Sequence, residues 1–236
     1  MTPERHKRIL DMLNKRQVDL TVVMEGVHKP HNLAAVIRTC DAIGVNDVHA
    51  VWKNERMRVG GGTALGSQNW VNLHNYDSTK DALTRLKQSG HQILVTNLSD
   101  TAVDFREIDY TKPTAIILGQ EKFGASDEAL AMADQDIIIP MVGMVQSLNV
   151  SVACAVTLYE AQRQRQLAGM YDSPSKVSDE QRNRILFEGG HPIFAEACKR
   201  KGLPYPHIDD DGEIVADESW WQKMQMNKEA WQDLDD

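Results

Sequence analysis

At 236 residues the chain has room for one sizeable core with appendages. No apolar run reaches the length needed to span a bilayer, and the opening MTPERHKRIL lacks the apolar segment of a secretion signal, so a reducing cytoplasmic setting is expected. Cys40, Cys154 and Cys198 are odd in number and irregularly spaced, which argues against both a disulfide framework and a zinc site. The formal charge of -8 sits at one end: residues 209–236 hold ten Asp or Glu against two Lys, whereas 1–208 balance 24 basic with 24 acidic residues.

Within the neutral body the basic residues cluster. On a helical wheel Arg5, Arg8, Lys15 and Arg16 share an arc of about 100 degrees beside Ile9, Leu10 and Leu13, which predicts a docked helix with a basic ridge. Leu20 to Glu25 reads as a buried strand, and a loop leads to Asn32 as the cap of a helix with Leu33, Val36, Ile37 and Cys40 on its inner face. Arg38 projects away from that face and is the first catalytic candidate. Asp47 to Trp52 reads as a strand, and Arg56 to Gly66, basic and glycine-rich, as a loop facing a polyanion. Helix (77–88), strand (91–96), strand (114–119), helix (126–133) and strand (136–140) follow. This βα alternation predicts a parallel sheet covered by helices on both faces, with a ligand crevice at the carboxyl ends of the strands. Thr96-Asn97-Leu98, Gly119 to Gly124 and Ile139-Pro140-Met141 should line it. No G-x-G-x-x-G follows the first strand and no GK[ST] is present, which disfavours a dehydrogenase or a P-loop enzyme.

Met144-Val145-Gln146-Ser147 reads as a turn into a helix, with Leu148, Val152, Ala155, Val156 and Tyr159 on one face and Val150, Ala153 and Cys154 making the others apolar. Its first half is therefore expected to be enclosed by protein, with the Asn149 amide hydrogen-bonded inside it. So much apolar helix surface exceeds what one small domain covers, and a homodimer is expected. Basic groups return at Arg163, Arg165 and Lys199-Arg200-Lys201, and these, with Tyr205 available to stack on a base, are candidate RNA contacts.

Three ordered segments carry a resemblance: NLAAVIRTCDAIGV at 32–45, ILGQEKFG at 117–124 and IIIPMVGMVQSLNVSVA at 137–153. They resemble the three motifs of the SpoU (TrmH) family of RNA ribose 2'-O-methyltransferases, over Leu20 to Arg165. The resemblance implies an α/β fold with a deep trefoil knot, at about 117–160, although knots are otherwise near-absent. It implies a 20–165 catalytic domain between a basic helical extension (1–19) and a C-terminal helical extension with an acidic tail (166–236). It also implies S-adenosylmethionine as donor, S-adenosylhomocysteine as product, a homodimer and no metal. By motif, Asn32, Arg38, Glu121 and Asn149 would be catalytic. Thr96, Asn97, Leu98, Gly119, Glu121, Ile139, Met144, Ser147 and Leu148 would hold the cofactor, and Ser147 would also meet RNA. The flanks, notably LFEGGHPIFAEACKRKGLPYPH at 186–207, resemble members that act on guanosine 18 in the tRNA D-loop. Ribosomal RNA as substrate, or RNA binding without catalysis, are the alternatives. A guanidinium stays protonated, so Arg38 is expected to stabilise the developing alkoxide and hold a neighbouring phosphate that could relay the proton, rather than to act as a base.

Overall fold

The computed structural model describes residues 1–52, 66–120 and 122–227. Most of the glycine-rich loop at 56–66, Glu121 and the end of the acidic tail lie outside the described residues. The chain divides into two compact units, one of Lys15–Ser175 and one of Met1–Asn14 together with the chain from Lys176 onward.

In the larger unit the elements are β1 (Leu20–Glu25), α2 (Pro30–Ile43), β2 (Asp47–Val51), β3 (Asn72–Tyr76), α3 (Thr79–Gln88), β4 (Gln92–Thr96), β5 (Val103–Asp104), β6 (Thr114–Leu118), α4 (Asp127–Met132), β7 (Gln135–Ile138) and α5 (Val150–Leu167). The strands form one seven-stranded sheet in the order β3-β2-β1-β6-β4-β7-β5, with every pair parallel, as the βα alternation predicts. Alternate side chains serve opposite faces: Leu20, Val22 and Met24 of β1 pack with α2 and α5, whereas Val23 packs with Ala82 and Leu83 of α3 and Ala129 of α4. The edge strand β3 is an addition to the expected set. Its sequence NLHNY is polar, and it is held by a parallel backbone ladder to β2, to which side chains add. Asp47 accepts from Asn72 Nδ2 at 3.1 Å and lies 2.7 Å from His74 Nε2, and the His49 and His74 rings stack with centroids 5.0 Å apart.

Two expectations about helices are corrected. Lys29, not Asn32, caps α2; Pro30 opens the helix and Asn32 sits in its first turn, 2 % exposed. The helix α5 is not enclosed all round: Cys154, Leu158, Ala161 and Arg165 are buried along one face, while Val152 and Tyr159 stand 46 % and 53 % exposed in the single chain. Asn149 precedes it as its cap.

The second unit contains α1 (Pro3–Asn14), α6 (Asp179–Gly190), α7 (Pro192–Lys201), the antiparallel pair β8 (His207–Ile208) and β9 (Ile214–Val215), and α8 (Glu218–Gln225). His6, Ile9 and Leu13 of α1 are buried, and Arg5 Nε donates to the Gly189 carbonyl of α6 at 2.7 Å. Phe187, Tyr205 and Trp220 form the unit's aromatic centre. No described helix is long and apolar enough to cross a membrane.

Candidate active site

The carboxyl ends of β6, β4 and β7 lie side by side, and the chain leaving β7 returns across them to start α5. A cavity of about 520 Å³ lies there. Its wall includes Thr96, Asn97, Leu98, Gly119, Ile139, Ser147 and Leu148, each expected from the sequence to touch a cofactor. Met144 is not in that wall and is fully exposed, which corrects its assignment, and Glu121 lies outside the described residues. Gln120 and Met141 line the cavity as well, as the strand ends predict, and Gln146, next to Ser147, does so without having been expected.

Local geometry explains the wall. Gln120 and Gly124 exchange backbone hydrogen bonds of 2.8 Å each way, making a tight hairpin after β6. Gly119 admits it: a Cβ there would lie 2.3 Å from the Ala125 nitrogen and the Gly124 carbonyl carbon, so any side chain would drive the hairpin off the sheet. After β4, Asn97 Nδ2 and Ser99 Oγ both donate to Asp136 of β7, at 3.0 and 2.7 Å, which fixes the second wall.

Asn149 joins the third wall to α2. Its Oδ1 accepts from the Ser151 N–H at 2.9 Å and from Ser151 Oγ at 2.6 Å. Because a backbone N–H can only donate, the amide is fixed in one orientation, and Nδ2 donates to Asn32 Oδ1 at 3.3 Å. The two motif asparagines, far apart in sequence, therefore meet. The tie from Asn149 to the Glu121 loop that the resemblance implies falls outside the described residues; the bond seen is to Asn32. Arg38 lies further along α2 and is exposed, so its guanidinium is available to an external anion.

Among the described lining residues none is charged. A site built of strand-end backbone groups with Leu98, Leu118, Ile139 and Leu148 suits an adenosine carrying a compact cationic group. Its described lining residues include none of the basic side chains that a pyrophosphate would call for. S-adenosylmethionine fits this donor set.

The candidate RNA contacts separate into two groups. Arg5, Arg8, Lys15, Ser147, Arg163, Lys199 and Arg200 are exposed, with Arg163 paired to Glu160 at 2.7 Å and Lys199 to Glu188 at 2.8 Å. Arg16, Arg165 and Lys201 are corrected. Arg16 lies beyond the end of α1, 2 % exposed, donating to the Val45 and Trp70 carbonyls and to Asp41 Oδ1. Arg165 is fully buried and donates to the Tyr110, Asp19 and Lys112 carbonyls, to Gln17 and to the Asp19 carboxylate. Lys201 Nζ donates to the Lys223, Met224 and Met226 carbonyls and so caps the end of α8. Tyr205 is likewise engaged, its hydroxyl donating to Glu188 at 2.8 Å and its ring against Phe187.

Residues 19–159 match the SpoU rRNA methylase family, and residues 163–217 match the C-terminal region of SpoU rRNA methylases. The tRNA (guanosine(18)-2'-O)-methyltransferase of Escherichia coli K12 is 61% identical over 226 residues, covering 95% of this chain and 99% of that protein. The protein of the same name from Thermus thermophilus is 54% identical over 173 residues, 73% of this chain and 89% of its own. Among solved structures, the Aquifex aeolicus TrmH/SpoU tRNA modifying enzyme superposes with a TM-score of 0.74 at 42% identity, over 80% of this chain and 96% of that one. An AdoMet-bound rRNA methyltransferase from Sinorhizobium meliloti superposes with a TM-score of 0.57 at 29% identity, over 65% of this chain and 59% of that one. The matched region spans the paired asparagines, Arg38 and the whole cavity wall, and the chain belongs to the SpoU rRNA methylase family.

Proposed function

We propose that this protein transfers a methyl group from S-adenosylmethionine to the ribose 2'-oxygen of guanosine 18 in tRNA. The observation that carries this reading is the 61% identity to a tRNA (guanosine(18)-2'-O)-methyltransferase along nearly the full length of both chains. The cavity at the strand ends, uncharged among its described lining residues, supports it. When bound, the sulfonium supplies an electrophilic methyl group, so the protein's task is to align the 2'-oxygen with it and to ease loss of the hydroxyl proton. The Gln120–Gly124 hairpin and the Asn97–Leu98 segment enclose the donor and exclude water. Asn149 and Asn32 lock the start of α5 to α2, fixing the ribose side of the pocket relative to Arg38. The protonated Arg38 guanidinium stabilises the alkoxide as it develops and holds a phosphate oxygen beside it, to which the proton can pass. Glu121 is assigned to this site by motif.

The acting form is a homodimer in the cytoplasm, paired through Val145 to Tyr159, whose exposed Val145, Val152 and Tyr159 need a cover that a second copy would supply. The return of the chain from β7 to α5 is part of a trefoil knot. Stretching a single molecule from its two ends would then fall short of the contour length of an unknotted chain, and full extension would overturn the knot. The function is tested with a guanosine-18 tRNA transcript and mass-spectrometric mapping of 2'-O-methyl nucleosides. Methylation at that guanosine is expected, and methylation of ribosomal RNA alone would overturn the substrate.

A further inference from the structure

β1 is LTVVME: five residues suited to a sheet interior, then Glu25, only 6 % exposed. A carboxyl group so deeply placed requires donors. Glu25 Oε1 accepts from Thr79 Oγ1 at 2.5 Å and from Ser126 Oγ at 2.6 Å, and Oε2 accepts from the Ser126 N–H at 2.8 Å. Ser126 is the cap of α4, its hydroxyl oxygen accepting from the Ala129 N–H at 3.1 Å while its proton goes to Glu25. The next residue, Gly26, has φ +64, and a Cβ there would lie 2.8 Å from Gln120 Nε2 and 2.9 Å from Gln120 Cγ. The end of β1 thus meets the cavity hairpin at both of its ends, at Gln120 through the missing side chain of Gly26 and just past Gly124 through the bonds from Glu25 to Ser126. Glu25 does not itself line the cavity.

We propose that Glu25 is a positioning residue for the methyl transfer, a buried brace that acts through Ser126 to hold the Gln120–Gly124 hairpin closed against the cofactor cavity. This rests on the reading of the cavity as the S-adenosylmethionine site. The brace has two arms. The Thr79 arm reaches α3, away from the cavity, and contributes to stability alone. The Ser126 arm reaches the hairpin and sets the pocket.

The arms are separated by measuring S-adenosylmethionine binding by calorimetry, methyl-transfer kinetics and denaturation midpoint in Thr79→Val, Ser126→Ala, Glu25→Gln and Glu25→Ala. Thr79→Val should lower the midpoint and leave cofactor affinity and kcat unchanged. Ser126→Ala should weaken cofactor binding by about tenfold or more, because a hydrogen bond to a buried carboxyl group is lost where it shapes the site. Glu25→Gln, which keeps the acceptor for the Ser126 N–H, should retain more affinity than Glu25→Ala. Should Glu25→Ala fail to fold, Ser126→Ala against Thr79→Val still decides. Equal cofactor affinity in wild type and Ser126→Ala would overturn the inference, as would a Thr79→Val loss as large as that of Ser126→Ala. A wild type unable to bind S-adenosylmethionine would overturn the functional reading and this inference with it, whereas normal wild-type binding beside unaffected variants would overturn the inference alone.

Discussion

Arg38 and Arg165 each sit on a helix of the larger unit, yet one faces solvent and the other is sealed among carbonyls and the Asp19 carboxylate. Arg38→Ala should lower methyl transfer by roughly 100-fold or more while leaving S-adenosylmethionine affinity near wild type, since the loss falls on charge developing in the transition state. Single-turnover kinetics beside calorimetry check this. Arg165→Ala should instead cost about 3–5 kcal/mol of stability, read in a urea titration, because it leaves buried acceptors and Asp19 unpaired. The distinction was legible in principle: Arg165 falls in step with Cys154, Leu158 and Ala161, at helical spacing on the buried stripe. No such pattern marks Arg16, whose burial depends on Asp41 and Trp70 arriving from elsewhere in the chain. His49 gives a pH prediction. Burial, reinforced by the neighbouring His74, lowers its pKa from 6.5 to about 4. The unfolded chain therefore takes up a proton as pH falls below about 6.5 while the folded chain does not until about 4, so stability should be lost across that window. Denaturation midpoints between pH 7.5 and pH 4 should fall less in His49→Gln, whose amide can replace His49 Nδ1 as the partner of the Tyr76 hydroxyl, 3.0 Å away in the native protein.

At the scale of elements, strands with continuous β-branched or aliphatic runs, such as β1 and β6, were legible, whereas β3 was not. An edge strand of Asn, Leu, His, Asn and Tyr has weak intrinsic preference and is held by the ladder from β2, a partner that composition does not reveal. The two residues of β5 are too short for any period to register. Apolarity on every face of α5 was read correctly from the residues, but it does not say whether one chain or two provide the cover. Replacing both Val152 and Tyr159 by Asp should give a monomer in sedimentation at micromolar concentration, since two charges would enter an apolar contact. An unchanged dimer would move the interface elsewhere. Gly119→Ala should abolish cofactor binding in a folded chain, because even a methyl group collides with the Gly124–Ala125 backbone.

For the whole molecule, the βα alternation was enough to predict a parallel sheet with its ligand edge, and three of the strand ends named in advance do form the cavity wall. Strand order and the partnership of the two chain ends were not legible, because both depend on contacts between segments remote in sequence. That partnership changes how the basic extension should be probed. Ile9 and Leu13 are core residues of the smaller unit, so deleting α1 should unfold that unit rather than merely strip charge from it. Neutralising the exposed Arg8 and Lys15 is the cleaner measurement: for each of the two that pairs with a tRNA phosphate, its removal should flatten the logarithmic salt dependence of binding by about 0.7 to 0.9. An unchanged slope would place the phosphate-binding surface elsewhere. The same partnership bears on synthesis. The residues of α1 leave the ribosome before the larger unit, and α6, against which they pack, only after that whole unit has been made. At the usual pace of about 5–20 residues per second, that leaves Ile9 and Leu13 without their partner for on the order of ten to thirty seconds. The larger unit is complete at Ser175, before α6 has been made, and the smaller one is assembled after it, around a segment synthesised before it.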